Sequence, residues 1–217
     1  MTSDKLIEML KLQDTINMRV DPSWRTAERP WHRAIAHEVA EAQNHLGWKW
    51  WAKQEPNHEA AKLELVDIWH FILSAYLDNG APNYADVAFD RLVEDWYNEA
   101  ERGEYDFAED LNEALDLLAQ GGALAAAFRV ALDRAGMTFD ELHRAYVGKY
   151  VLNTFRQHNG YRQGRYIKTW SDGREDNDHL NELMAQKLDA KTIWLVLAAR
   201  YATVLAEAQA HDPASPG

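Results

Sequence analysis

Hydrophobic positions recur every three or four residues through most of the chain, and no stretch alternates in the two-residue rhythm of a strand. Residues 4 to 18 predict a first helix, with Leu6, Leu10, Gln13 and Asn17 in one row. The segment VDPSWRTAERP, with two prolines, reads as a loop. Two strongly periodic stretches follow within residues 33 to 78, with core stripes Ile35, Val39, Ala42, Leu46 and then Leu65, Ile68, Ile72, Ala75. They are joined by GWKWWAKQEPN. Asn57 is placed to cap the second helix, and Asn79-Gly80 to stop it. Residues 83 to 118 predict a solvated, acidic helical pair, Gly121-Gly122 a break, and ALAAAFRVALDRAG another helix. A last helix over Ala190–Ala210, capped by Asp189, carries Ile193, Trp194, Leu197, Tyr201 and Leu205 at core spacing, and the tail HDPASPG is expected to be disordered.

The periodic helices carry an unusual set of acids. Glu38 and Glu41 are three apart on the first, Glu64 and Asp67 three apart on the second, and His70 three further on. Neighbouring like charges on a helix cost a few tenths of a kcal/mol, so something should compensate. Both pairs run beside their core stripes, Glu38 and Glu41 in a row with Ala34 and His45. Antiparallel packing, favoured by the short connection, therefore brings four carboxylates together. Hard oxygen ligands of this kind select Mg²⁺ or Mn²⁺. A solvated acidic face is the plain alternative. A di-iron bundle would want two Glu-x-x-His repeats, and only Asp67 with His70 approaches one.

Charge narrows the partners. The 217 residues contain no cysteine, which excludes disulfides and thiolate chemistry, and the net charge of −12 argues against binding to nucleic acid. No apolar run is long enough for a membrane span, and the polar opening MTSDKLIEMLKLQD is unlike a signal peptide, so a cytoplasmic protein is expected. Gln13 and Asn17 place two amides on one face, able to donate to and accept from a pyrimidine edge. Trp48, Trp50 and Trp51 beside Lys49 either form a lid on the core or stack a base.

One segment inverts the overall charge. Residues 142 to 171 contain six Lys or Arg and no Asp or Glu. Lys149, Asn153 and Arg156 fall on one helical face, and Gly160 and Gly164 then make a turn that admits a ligand. Acids that hold a metal, with cations from elsewhere, would grip a polyphosphate and leave phosphorus open to water. A basic face docked on the acidic stretch at 94 to 116 is the simpler alternative.

The succession LKLQDTIN, HEVAEA, GWKWW, ELVDIWHFILS, KYVLNTFRQHNGYRQGRYIKTW and GREDN resembles the dimeric all-α dUTP diphosphatases, within the MazG-like nucleoside triphosphate pyrophosphohydrolases. The resemblance implies an all-α helical bundle with a central carboxylate-bearing helix pair and a second, more mobile helical segment. It also implies a single domain over residues 1–217, with an acidic helical insertion at about 83–120, working as a cytoplasmic homodimer. Glu38, Glu41, Glu64 and Asp67 then look like Mg²⁺ ligands, with Mn²⁺ a possible substitute. Lys149, Arg156 and Lys168 look like phosphate contacts, with Asn177 nearby and Lys49 also facing the phosphates. Gln13, Asn17, Trp51 and Asn153 look like the uracil and deoxyribose pocket, closed by Tyr161.

The implied reaction is hydrolysis of dUTP, and of dUDP, to dUMP with release of pyrophosphate or phosphate. A metal-activated water, deprotonated with help from a carboxylate, Glu41 first, attacks the β-phosphorus. The alternatives are a dCTP or general nucleotide pyrophosphohydrolase with the same metal chemistry, a catalytically dead nucleotide-binding regulator, and a scaffold whose charge asymmetry drives self-docking.

Overall fold

The computed structural model describes residues 2–78 and 84–210; the expected helix stop at Asn79-Gly80 and the HDPASPG tail lie outside them. Among the described residues the chain is all-α, with an isolated bridge between Thr169 and Glu175 but no strand. It divides into two compact units, Met1–Tyr146 and Val147–Gly217.

The first unit holds α1 (Thr2–Val20), α2 (Trp31–Leu46), α3 (His58–Leu77), α4 (Tyr84–Tyr97), α5 (Glu99–Tyr105), α6 (Leu111–Ala119), α7 (Leu124–Arg134) and the first part of α8 (Phe139–His158). Its organising element is α3, which packs against α1, α2, α4 and α7. A helix wrapped on so many sides needs apolar residues nearly all round. Accordingly Leu65, Val66, Ile68, Trp69, Ile72, Leu73, Tyr76 and Leu77 are all buried, and each large aliphatic among them contributes on the order of 1.5–3 kcal/mol. One ridge stays half-buried: Glu64, Asp67, Phe71, Ala75 and Asp78. Ala75, expected in the core stripe, belongs to this ridge instead. The capping expectation at the start of α3 holds, since the Asn57 side chain accepts from the Ala60 N–H at 3.0 Å.

The acidic stretch is more than the solvated pair its charge suggests. It forms three helices, α4 to α6, and Leu92, Trp96, Leu111, Ala114, Leu115 and Leu118 are buried. Trp69 of α3 stacks on Phe128 of α7 at 4.8 Å and meets Trp96 edge-on at 5.4 Å, which ties α4 into the core. The acids occupy the outer faces, so their number hides an apolar stripe of ordinary helical spacing.

The second unit is built from the rest of α8, α9 (Asp176–Ala185) and α10 (Ala190–Ala210). Its core joins Val151, Leu152 and Phe155 to Trp170, Leu180, Leu183, Ile193, Leu197, Tyr201 and Val204. Asp189 caps α10 by accepting from the Thr192 N–H at 3.0 Å. The buried position one turn beyond Tyr201 is Val204, whereas Leu205, expected there, is exposed. Gly160 and Gly164 have φ of 84° and 68°, the left-handed region that glycine enters without steric cost, and the chain turns there after α8.

Candidate active site

Contacts along α2 and α3 establish their antiparallel packing. His45 lies by Glu64 (Nε2 to Oε1, 3.3 Å), Trp31 packs at 6.3 Å from Phe71, and the Trp31 indole N–H donates to Asp78 at 2.6 Å. This register sets Glu38 opposite the accessible ridge of α3. One carboxylate oxygen from each of Glu38, Glu64 and Asp67 lies within 4.8 Å of the others, and all three residues are half-buried. Three hard oxygen donors converging from two helices fit a divalent cation. Glu41 stands outside this trio and belongs to a second group with Glu38 and His37. It is exposed, with Oε1 at 3.3 Å from His37 Nε2. Glu38 is common to both groups, so the four predicted acids form a chain linked through Glu38 instead of one closed square.

The two amides of α1 are not on a solvated face. Gln13 is 4% exposed, and its whole amide is engaged. Its Nε2 donates to Asn17 Oδ1 and Ser74 Oγ, both at 2.9 Å, while Oε1 accepts from the Tyr146 hydroxyl at 2.9 Å and faces His70 Nδ1 at 2.6 Å. The Gln13 oxygen facing it suits the tautomer that carries a proton on His70 Nδ1. Asn17, half-buried, donates to the same Ser74 hydroxyl at 3.0 Å. His70 and Tyr146 stack at 4.2 Å. Buried polar networks of this kind tie the helices that carry them together, and here the accessible end of the network is Asn17.

The tryptophan joint is no lid on the core. Trp50 is 89% and Trp51 57% exposed, and Trp51 meets its neighbours edge-on, Trp48 at 5.2 Å and Trp50 at 5.6 Å. The loop backbone is held by the Lys49 N–H donating to Gln54 Oε1 at 2.8 Å, and Gly47 enters it from α2 with φ of 72°.

In the second unit, five of the six predicted residues gather around one guanidinium. Arg156 donates through Nε and Nη2 to the two oxygens of Asp176, both at 2.7 Å. Its Nη1 donates to Asn153 Oδ1 at 3.2 Å and its Nη2 to Asn177 Oδ1 at 3.3 Å. Lys149 Nζ donates to the same Asn177 oxygen at 3.3 Å, and the guanidinium sits 5.9 Å from the Tyr161 ring centre. Burial works to discharge Arg156, but the bonds to Asp176 outweigh it and its pKa is raised. Tyr166 donates to Asp176 at 2.8 Å; burial first, and the adjacent carboxylate second, push its hydroxyl well above the usual phenol range. Lys168 stands apart from this cluster, half-exposed and paired with Glu175 at 2.9 Å. The acidic partners of Arg156 and Lys168 thus come from positions 175 and 176. Sequence reasoning missed Asp176, Tyr166, Ser74 and Tyr146. Asp176 had a signal, being the middle residue of the EDN tripeptide; the other three are single polar residues on apolar helices or loops, with no pattern to mark them.

A family model described as dUTPase matches residues 5–161, which includes both carboxylate helices and the Lys149, Asn153, Arg156 face of α8. A search of curated proteins finds no match. The match extends over most of the chain, and the described residues are all-α, so the chain belongs to the all-helical dUTPase family, whose activity is dUTP hydrolysis.

Proposed function

We propose that this single-domain, cytoplasmic protein works as a homodimer and hydrolyses dUTP, and dUDP, to dUMP in a Mg²⁺-dependent reaction. The carrying observation is the convergence of Glu38, Glu64 and Asp67 within 4.8 Å across two helices. These three, with Glu41, would hold Mg²⁺ or Mn²⁺, which supplies Lewis-acid neutralisation of phosphate charge when bound. Glu41, exposed and linked to the trio through Glu38, takes a proton from the attacking water at a carboxylate oxygen. The water oxygen bonds to the β-phosphorus, the bond from that phosphorus to the bridging oxygen of the α-phosphate breaks, and dUMP leaves.

In the first unit, Asn17 and Trp51 address the nucleoside, with Gln13 setting Asn17's orientation and Lys49 facing phosphate. In the second, Lys149, Arg156 and Lys168 supply positive charge, Asn153 and Asn177 supply amides, and Tyr161 covers them. Hydrogen-bond mismatch rejects cytosine strongly, by about 10⁴ or more, while a wall against the C5 methyl of thymine is worth only about 1–3 kcal/mol.

The test is steady-state product release from dUTP, dUDP, dTTP, dCTP and UTP, with Mg²⁺ and with chelator. The reading expects dUMP from dUTP and dUDP, dependent on metal. Equal rates with dUTP and dTTP would remove the uracil assignment, and undiminished turnover in chelator the metal assignment.

A further inference from the structure

Asp176 is fully buried, the first residue of α9, and carries none of the roles assigned above. Its two oxygens take both prongs of Arg156, and the Tyr166 hydroxyl closes its third side. Such two-pronged pairs have the geometry needed to offset desolvation, yet apolar residues of similar volume often stabilise a buried position as well or better. The consequence of the pair therefore lies in where it aims the rest of the guanidinium. Held by Asp176, Arg156 directs Nη1 to Asn153 Oδ1 and Nη2 to Asn177 Oδ1, and Lys149 adds a second donor to the Asn177 oxygen. Guanidinium and ammonium groups only donate, so both amides must turn their oxygens toward the cations. Each NH₂ group then faces away from the cations, on a residue that is half-buried.

Resting on the dUTP-hydrolase reading, we infer that Asp176 is a positioning residue for substrate: it clamps Arg156, Arg156 sets the amides of Asn153 and Asn177, and their NH₂ groups donate to oxygens of the bound nucleotide. The role is transmitted through Arg156. Asp176 itself touches no substrate.

The test uses Asp176→Asn in the full chain, which keeps the volume but removes the charge and sets an NH₂ against the Arg156 donors. Melting by circular dichroism establishes the folded range, and kinetics with dUTP are read well below the midpoint. Loss of one oriented donor set raises KM by about tenfold with kcat changed far less. A variant that is merely less stable would show a lower Vmax at unchanged KM. Independently of turnover, the side-chain NH₂ resonances of Asn153 and Asn177 shift in the variant without ligand. Tyr166→Phe, which leaves the ion pair intact, carries the same two readouts at smaller amplitude should Asp176→Asn not fold. An unmoved KM, or unmoved asparagine resonances, overturns the inference. Absence of dUTP turnover in the parent protein would instead refute the enzyme reading, and the resonances alone would then judge Asp176.

Discussion

Replacing Glu38 by glutamine sets stability and function against each other. Glu38 belongs to both acid groups, and its carboxylate oxygen lies within 4.8 Å of those of Glu64 and Asp67. Two unit charges at that separation repel by about 1 kcal/mol at the dielectric of water, and by more where solvent is partly excluded. Glu38→Gln removes two such repulsions while preserving shape. Physiological salt screens part of the roughly 2 kcal/mol, leaving about 1 kcal/mol. For a chain of this size that corresponds to a rise in Tm of about 2–4 °C. In chelator at low salt the variant should melt higher than the parent protein. Added salt should narrow the gap by stabilising the parent more. Mg²⁺ should reverse the order, because a ligand at about a hundred times its Kd stabilises the form that binds it by about 2.7 kcal/mol, and the substitution removes a charged ligand from the trio. Turnover of dUTP should be lost. A variant that melts lower than the parent in chelator would refute the claim that these acids repel one another across α2 and α3.

Three further outcomes follow from other parts of the molecule. Ser74→Ala strands the buried Gln13 donor and loosens Asn17; it should cost about 2 kcal/mol in urea unfolding, partly offset by alanine's helix preference, and raise KM for dUTP. At Gly160 a Cβ would meet Arg165 Nε at 3.1 Å in a left-handed backbone, so Gly160→Ala should destabilise by about 1–2 kcal/mol, read as a lower midpoint of denaturation. Asp172 is held at about 2, below the ordinary 3.8, chiefly by the side chain and backbone N–H of Arg174. Its contribution is complete above the unfolded value and is lost as pH falls through the folded one. Asp172→Asn should therefore lower the thermal midpoint slightly at neutral pH, by an amount that shrinks as the solution is acidified between those two values.

What the order of residues determined by itself is whatever depends on spacing along one helix. The 3.6-residue period yields the all-α class, the start of α3, the span of α10 and their caps at Asn57 and Asp189, and it places Glu38 with Glu41, Glu64 with Asp67, and Lys149 with Asn153 and Arg156. Family-specific segments such as GWKWW and KYVLNTFRQHNGYRQGRYIKTW carried the activity, which acidic pairs alone do not. Only the tertiary structure decided which of those groups meet across elements. The register of α2 on α3 gathered Glu38, Glu64 and Asp67 and left Glu41 beside His37. Burial tied the Gln13 amide to Asn17, Ser74, His70 and Tyr146, and folding of α9 onto α8 paired Arg156 with Asp176. The physical reason is that charge and amide chemistry are local properties, whereas desolvation and partner choice depend on residues far away in sequence. Asp176, 20 positions beyond Arg156, is the plainest instance.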